Sequence, residues 1–522
     1  MADNAAAAAM IRDPAALTRD RFDLLVIGGG IYGAWCAYDA AQRGLKVALI
    51  ERGDWACGTS SASSKLIHGG LRYLEHFEFS LVSHALTERR VLARIAPHLV
   101  RPMNFVLPVW RGARVGSFRL SCGLMLYDLL AWRRQPVQRH KHYRKDRLLQ
   151  RYPFLKTKGL NGGFRYGDCQ EDDARVTLTV VRAAQQAGAS VVNHCAATEL
   201  LDGGAHLQDR LSGESLTISA RHTVLTAGPW SHELLGEAAP AMNRVKGSHL
   251  VLPEIPDCRS AFLLTAPQDG RVFFVIPWYG RTLVGTTEAS ITDPDTAEVT
   301  TQETRYLLDA VAEWMPDLGW TENHVISRFA GTRALQAQDK ANLAAVTREF
   351  AILQPRRGVT LPIGGKFTTA RRDASEIIDR VARALGVHRA GQTAKAPLPG
   401  APQGEFLQFL ERTDRGLREA GADEAVAQHL ALRYGDNCTT LAQMMRTEPE
   451  LAERIHPSLP FVLAEAVYAV RDEMACTLDD VCRRRLPLDL LLAEGPWRQH
   501  LGRQLAEREG LTVLAPTENT PC

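Results

Sequence analysis

Three side chains crowd into one short stretch. Within TSSASSKLIHGGLRYLEHFEF, Thr59 to Phe79, His68, Gly69, Gly70, Arg72 and Tyr73 fall inside six consecutive positions. An imidazole titrates near neutral pH, a guanidinium is a permanent fork-shaped cation suited to phosphate, and a phenol offers a hydroxyl. The set suits proton transfer beside a bound phosphate ester. A histidine by itself is more often structural, but the paired glycines beside it point to a crowded or unusual backbone. Later segments carry further cations. AGTRAL contains Arg333, and GGKFTTARRDASEIIDRV contains Lys366 and Thr368 just ahead of a helix pattern in Ala370, Ala374, Ile377, Ile378 and Val381. Gly364 and Gly365 lead into that helix, whose free amides can face an anion. KGSHLVLP, Lys246 to Pro253, sets His249 at the start of a strand, where it could face the site, although a structural histidine is the better default on the residues alone.

The elements that must position these groups begin with a βαβ unit. DLLVI, Asp23 to Ile27, is a short apolar strand that runs into GGGIYG. Ile31 to Arg43 reads as an Ala-rich helix closed by Gly44, and KVALI, Lys46 to Ile50, delivers Glu51. Gly28, Gly30 and Gly33 thus form G-x-G-x-x-G with an acid at the end of the second strand. That order predicts dinucleotide binding: Gly28 for the tight turn, Gly30 for close approach of a pyrophosphate, Gly33 for helix-strand packing, and Glu51 for ribose hydroxyls. Ser60, Ser61, Ser63 and Ser64 follow almost at once and could hold the pyrophosphate or a ribityl chain, although a Ser-rich loop alone is usually only a loop. HTVLTAGPW, His222 to Trp230, reads as another buried strand, ending at Gly228 where backbone can lie against the cofactor.

The remaining chain divides by composition. Strand-like segments around Phe273 and Val284 predict a second, β-rich sheet. LPGAPQG, Leu398 to Gly404, is a linker, after which helical patterns such as Ala425 to Arg433 and Pro460 to Met474 dominate. The expected architecture is α/β. A discontinuous dinucleotide-binding domain spans 21–105, 160–245 and 325–397, an inserted β-rich substrate or cap domain spans 106–159 and 246–324, and a helical domain spans 405–514. Residues 1–20 read as a mobile tail.

Composition narrows the function. At 522 residues the chain exceeds a single core, and a net charge of +3 suits anionic substrates or lipid headgroups while falling far short of a nucleic-acid signature. Ten cysteines show neither a C-x-x-C pair nor zinc-ligand spacing, so reduced thiols in a cytosolic compartment are expected, and no metal. No apolar run reaches the roughly 18 to 20 residues of a membrane span. Ser117 to Trp132, SFRLSCGLMLYDLLAW, is mostly apolar and is followed by Arg133, Arg134, Arg139, Lys141, Arg144 and Lys145. That pairing fits a helix lying at the headgroup boundary.

Taken in order, GGGIYG, SSASSKLIHGGLRYLEH, GDCQEDDAR, TAGPW, KGSHLVLP, FFVIPW, VGTTE and GGKFTT resemble the FAD-dependent glycerol-3-phosphate dehydrogenase family of the aerobic, respiratory type. EAVYAVRDEMACTLDDV, Glu465 to Val481, resembles its C-terminal helical domain. The resemblance implies a fold of the D-amino-acid-oxidase kind, with FAD on the βαβ unit, also met by Gly365, Lys366 and Thr368. Arg72, Lys366 and Tyr73 would hold the phosphate or hydroxyls of glycerol 3-phosphate, and His68 and Arg333 would lie near the reacting carbon with His249. It further implies hydride transfer to the flavin, a membrane quinone as electron acceptor, a homodimer, and peripheral attachment at the cytoplasmic face of the cell membrane. An oxidase passing electrons to oxygen and a non-catalytic flavin-binding scaffold remain alternatives. One departure is AGTRAL, where the family usually has SGVRPL.

Overall fold

The computed structural model describes residues 9–131, 135–337 and 350–511. Its first sheet is eight-stranded, with the order 351–356, 359–363, 215–225, 22–27, 47–50 and 190–192, and a meander of 195–201 and 204–209 continuing from 215–225. Phe22–Ile27 lies at the centre, parallel to both Val47–Ile50 and Ser215–Leu225. A central parallel strand is covered on both faces, and period-2 alternation sends its side chains each way. Leu24 and Val26 join the core under the helices Ile31–Gln42, Asp173–Gln186 and Ala370–Ala384, whereas Leu25 and Ile27 join the core on the opposite face. Each such burial contributes about 1.5–3 kcal/mol.

The second sheet has ten strands. Its main path runs 289–290, 242–253, 281–285, 272–278, 261–265, 101–110, 160–170 and 66–67, with 327–336 added to 242–253 and 141–144 to 160–170. Helix Thr301–Trp314 covers it through Leu307, Leu308 and Val311, and begins with a capping box between Thr300 and Glu303. Strand pairing divides the chain differently from composition. Residues 101–105, 160–170 and 327–336, which sequence placed with the dinucleotide domain, hydrogen-bond into this second sheet. Their apolar content marks them as strands but says nothing of which sheet receives them.

The C-terminal helices include Phe406–Glu419, Glu424–Tyr434, Cys438–Thr447, Leu463–Arg471 and Pro496–Glu509. They meet the rest of the molecule through buried charges. Arg433 Nη1 donates to Asp172 Oδ2 at 2.7 Å, and the Arg175 guanidinium grips Glu473 with both prongs. Of the expected mobile tail, residues 1–8 lie outside the described residues, and the rest is docked. Met10 is buried with its N–H donating to Asp472 O at 3.0 Å, and Arg12 forms a two-pronged bond to Asp209. An Ala-rich composition hid these two anchors. Among the described residues, no helix is long and apolar enough to cross a membrane.

Candidate active site

Both sheets border one cavity of about 390 Å³. Its wall on the dinucleotide side is built from the glycine turn. Gly28 has φ +110°, and a Cβ on Gly33 would lie 1.8 Å from Gly28 O, so the helix can start against the strand only if both are glycine. Helix Ile31–Gln42 opens at Gly30 with no side-chain cap of its own, but Ile31 N donates to Ser60 Oγ at 2.9 Å. Glu51 lines the cavity and is oriented by two amides, Gly29 N at 2.6 Å and Gly53 N at 2.9 Å. Replacing Gly33 with valine is expected to yield protein without bound flavin. Visible absorbance of the purified variant checks this, and a normal flavin spectrum would refute the packing argument.

The serine loop is held from behind. Lys65 Nζ reaches Asp173 Oδ1 at 2.6 Å and Ser61 O at 2.5 Å, while Ser63 N donates to Asp173 Oδ2 at 2.9 Å. Ser60, Ser63 and Ser64 therefore face the cavity, whereas Ser61, also expected there, spends its carbonyl on Lys65 and is not part of the wall. Gly228 and Thr368 line it as well.

The chemistry-bearing cluster borders the same space. His68 follows the short strand Leu66–Ile67, and its N–H donates to Thr368 Oγ1 at 3.3 Å. Arg72 and Tyr73 sit on the 3₁₀ turn Leu71–His76. Gly70, at φ +74°, lets Tyr73 fold back so closely that a Cβ there would be 2.3 Å from its ring. Lys366 Nζ stands 3.5 Å from the centre of that ring, a cation–π contact that fixes both groups. Arg333, on strand Ser327–Gln336, points across with Nη1 3.4 Å from Glu288 Oε1. Gly365 is pressed against the Tyr32 hydroxyl, which donates to Asp373 at 2.6 Å. Burial pushes Asp373 up to about 6, although Tyr32 and Thr369 both donate to it.

His249 lies deeper than His68 or Arg333. It is buried behind the wall, stacked on Phe329 at 4.8 Å, with Nε2 2.9 Å from Ser64 Oγ. Burial, and then the nearby Lys65 and Arg333 charges, bring it down to about 3, so it stays neutral in ordinary conditions. Through that contact it orients Ser64, which lines the cavity. Sequence reasoning passed over Tyr32, Arg271 and Glu288, which all line the cavity. Arg271 Nη1 donates to Glu288 O at 2.9 Å, tying two strand ends together beside Arg333. Tyr32 lies inside the glycine motif itself, but nothing in its spacing pointed to Asp373.

Residues 23–371 match the family model for FAD dependent oxidoreductases, and 391–496 match the C-terminal domain of alpha-glycerophosphate oxidase. A curated glycerol-3-phosphate dehydrogenase from Synechocystis is 36% identical, over 90% of this chain and 89% of its own. The chain belongs to the FAD-dependent glycerol-3-phosphate dehydrogenase family. Another member, the aerobic glycerol-3-phosphate dehydrogenase of Staphylococcus haemolyticus, is 34% identical over 90% of this chain and 87% of its own. The FAD complex of glycerol-3-phosphate dehydrogenase from Bacillus halodurans superposes with a TM-score of 0.78 at 29% identity, covering 95% of this chain and 92% of that one. Like the family, this chain is an FAD-dependent oxidoreductase of the dehydrogenase and oxidase group. Its own residues fit the cofactor. Gly28, Gly30 and Ile31 at the helix start border the cavity, and Glu51, Ser60, Ser63 and Ser64 line the same wall.

Proposed function

We propose that the chain oxidises sn-glycerol 3-phosphate to dihydroxyacetone phosphate and passes the electrons to a membrane quinone. It acts as a homodimer on the cytoplasmic face of the cell membrane. The observation that carries the substrate reading is that Arg72, Arg333 and Lys366 border the same cavity as the glycine turn. Three cations facing one small space suit a phosphate dianion far better than an amine. FAD, when bound, supplies the hydride acceptor. Arg72 and Lys366 hold the phosphate, with Tyr73 beside them for a hydroxyl. Arg333 stabilises the negative charge that develops on the secondary oxygen. His68 takes the hydroxyl proton as the hydride leaves the same carbon, so the C–O bond becomes a carbonyl and the charges balance. Ser64, steadied by His249, belongs to the wall around this step.

Helix Ser117–Leu130 supports attachment to a lipid surface. Phe118, Met125 and Leu129 are 85%, 60% and 56% exposed, and their spacing of seven and four residues places them on one face. Leu124 and Tyr127 are buried beneath, and Phe77 adds a further exposed ring. Arg139, Lys141, Arg144 and Lys145 are exposed in the segment that follows, whereas Arg133 and Arg134 lie outside the described residues. Each cation near anionic lipid contributes about 1 kcal/mol, so changing those four exposed residues to Gln should weaken vesicle binding by roughly 10³. Cosedimentation with anionic vesicles measures this, and unchanged binding would remove the membrane from the proposal.

The activity itself is tested by anaerobic mixing of FAD-loaded protein with glycerol 3-phosphate, followed by a soluble quinone. Flavin bleaching that the quinone reverses is the expected result. Bleaching reversed only by oxygen would assign an oxidase, and no bleaching would overturn the substrate reading.

A further inference from the structure

Directly after strand Val47–Ile50 the chain reads Glu51-Arg52-Gly53-Asp54-Trp55. This loop is packed onto the glycine turn. Glu51 accepts the Gly29 N–H, Ala56 N donates to Gly29 O at 3.1 Å, and a Cβ on Gly29 would lie 2.5 Å from the Trp55 ring. Asp54, wedged between these two residues, turns the other way. Only 1% exposed, it accepts from Arg485 Nη1 at 2.6 Å, Arg485 Nη2 at 2.9 Å, Arg484 Nε at 2.7 Å and Asn193 Nδ2 at 3.0 Å. Both arginines come from the turn Asp480–Arg485 of the C-terminal helical domain. That turn is anchored in its own right. Arg485 Nε donates to Glu473 O at 3.0 Å, Arg484 Nη2 to Asp480 Oδ1 at 2.7 Å, and His194 Nε2 lies 2.9 Å from Asp480 Oδ2. Cys476 Sγ shares this corner, but Asp480 already accepts the Cys476 and Thr477 amides, so the group forms a brace.

We infer that Asp54 and Arg485 are positioning residues for FAD, through which the C-terminal helical domain holds the Glu51–Trp55 loop against the glycine turn. A two-pronged guanidinium–carboxylate pair fixes distance and angle together, which a point charge does not. Buried pairs of this kind add little net stability compared with apolar packing, so geometry is what this one supplies. The path is short and continuous. Arg485 holds Asp54, Asp54 sets the backbone on which Glu51 and Trp55 stand, and those two set Gly29 and the helix start that faces the pyrophosphate. A second contact between the same domains, from Arg182 Nη1 to the Tyr468 hydroxyl at 2.5 Å, involves neither the loop nor the turn and serves as a control.

The test is FAD affinity of the full-length chain, stripped of flavin and titrated with FAD by fluorescence. Arg485→Lys keeps the charge and loses the fork; Asp54→Asn keeps the shape and loses the charge. Both are expected to weaken FAD binding by about tenfold or more, close to 1.4 kcal/mol, and to change the circular dichroism of the bound flavin. Tyr468→Phe is expected to lower the melting temperature with FAD affinity unchanged. If all three variants lose melting temperature alike while binding FAD as the parent does, the pair is only structural and the inference fails. The parent chain offers a test that needs no variant. Coupling is reciprocal, so FAD should slow hydrogen exchange at 480–485 as well as at 51–56. Protection confined to 51–56 would overturn it. Neither readout uses substrate, so failure here is separate from failure of the glycerol 3-phosphate reading.

Discussion

Arg333→Met should lower kcat/KM for glycerol 3-phosphate by about 10³ while leaving the flavin spectrum intact. The guanidinium stands 3.4 Å from Glu288 and borders the cavity. Its loss acts twice. A donor aimed at the developing oxyanion disappears, which by itself costs about 2.7–4 kcal/mol of barrier, and Glu288, only 8% exposed at its side chain, is left facing a dianionic substrate. Arg333→Lys should fall between the two, because it restores charge without the planar fork. Steady-state kinetics on protein of equal flavin content decide the matter. A loss under about tenfold in the methionine variant would make Arg333 a brace for Glu288 and nothing more.

His68→Asn should lower kcat by about 10²–10⁴ with little change in KM, since a general base acts in the transition state and not in binding. The backbone N–H of residue 68 still donates to Thr368, so the loop should keep its path. The sign in pH follows from the role. A base must be unprotonated, so kcat/KM of the parent should rise with pH and then level, and this acidic limb should vanish in the variant. A variant that keeps the limb at reduced height would assign the proton to another group.

Local signals and distant ones fared differently in the sequence. The βαβ unit was legible because every part of it is contiguous: strand, glycines, helix, strand and Glu51 arrive in order, and the close contact of Gly33 with Gly28 is a local necessity. The His68–Tyr73 cluster was legible for the same reason. The surroundings of His249 were not legible, because they are made by Phe329 and Ser64, both remote in the chain. Arg271 and Glu288 were missed because each is an ordinary charged residue until strand pairing brings it to Arg333. Which sheet receives 101–105, 160–170 and 327–336 was not legible either, since an apolar strand does not announce its neighbour.

The docking of Met10 and Arg12 bears on how the molecule is made. A ribosome extending a chain by about 5–20 residues per second releases these two residues early. Asp209, the partner of Arg12, follows later, and Asp472, the partner of Met10, later still. Until then the leading segment has nowhere to close, and the central strand that follows it waits for Ser215–Leu225 before its second edge is covered. The nascent enzyme therefore spends roughly 10 to 40 seconds with one edge of its central strand uncovered.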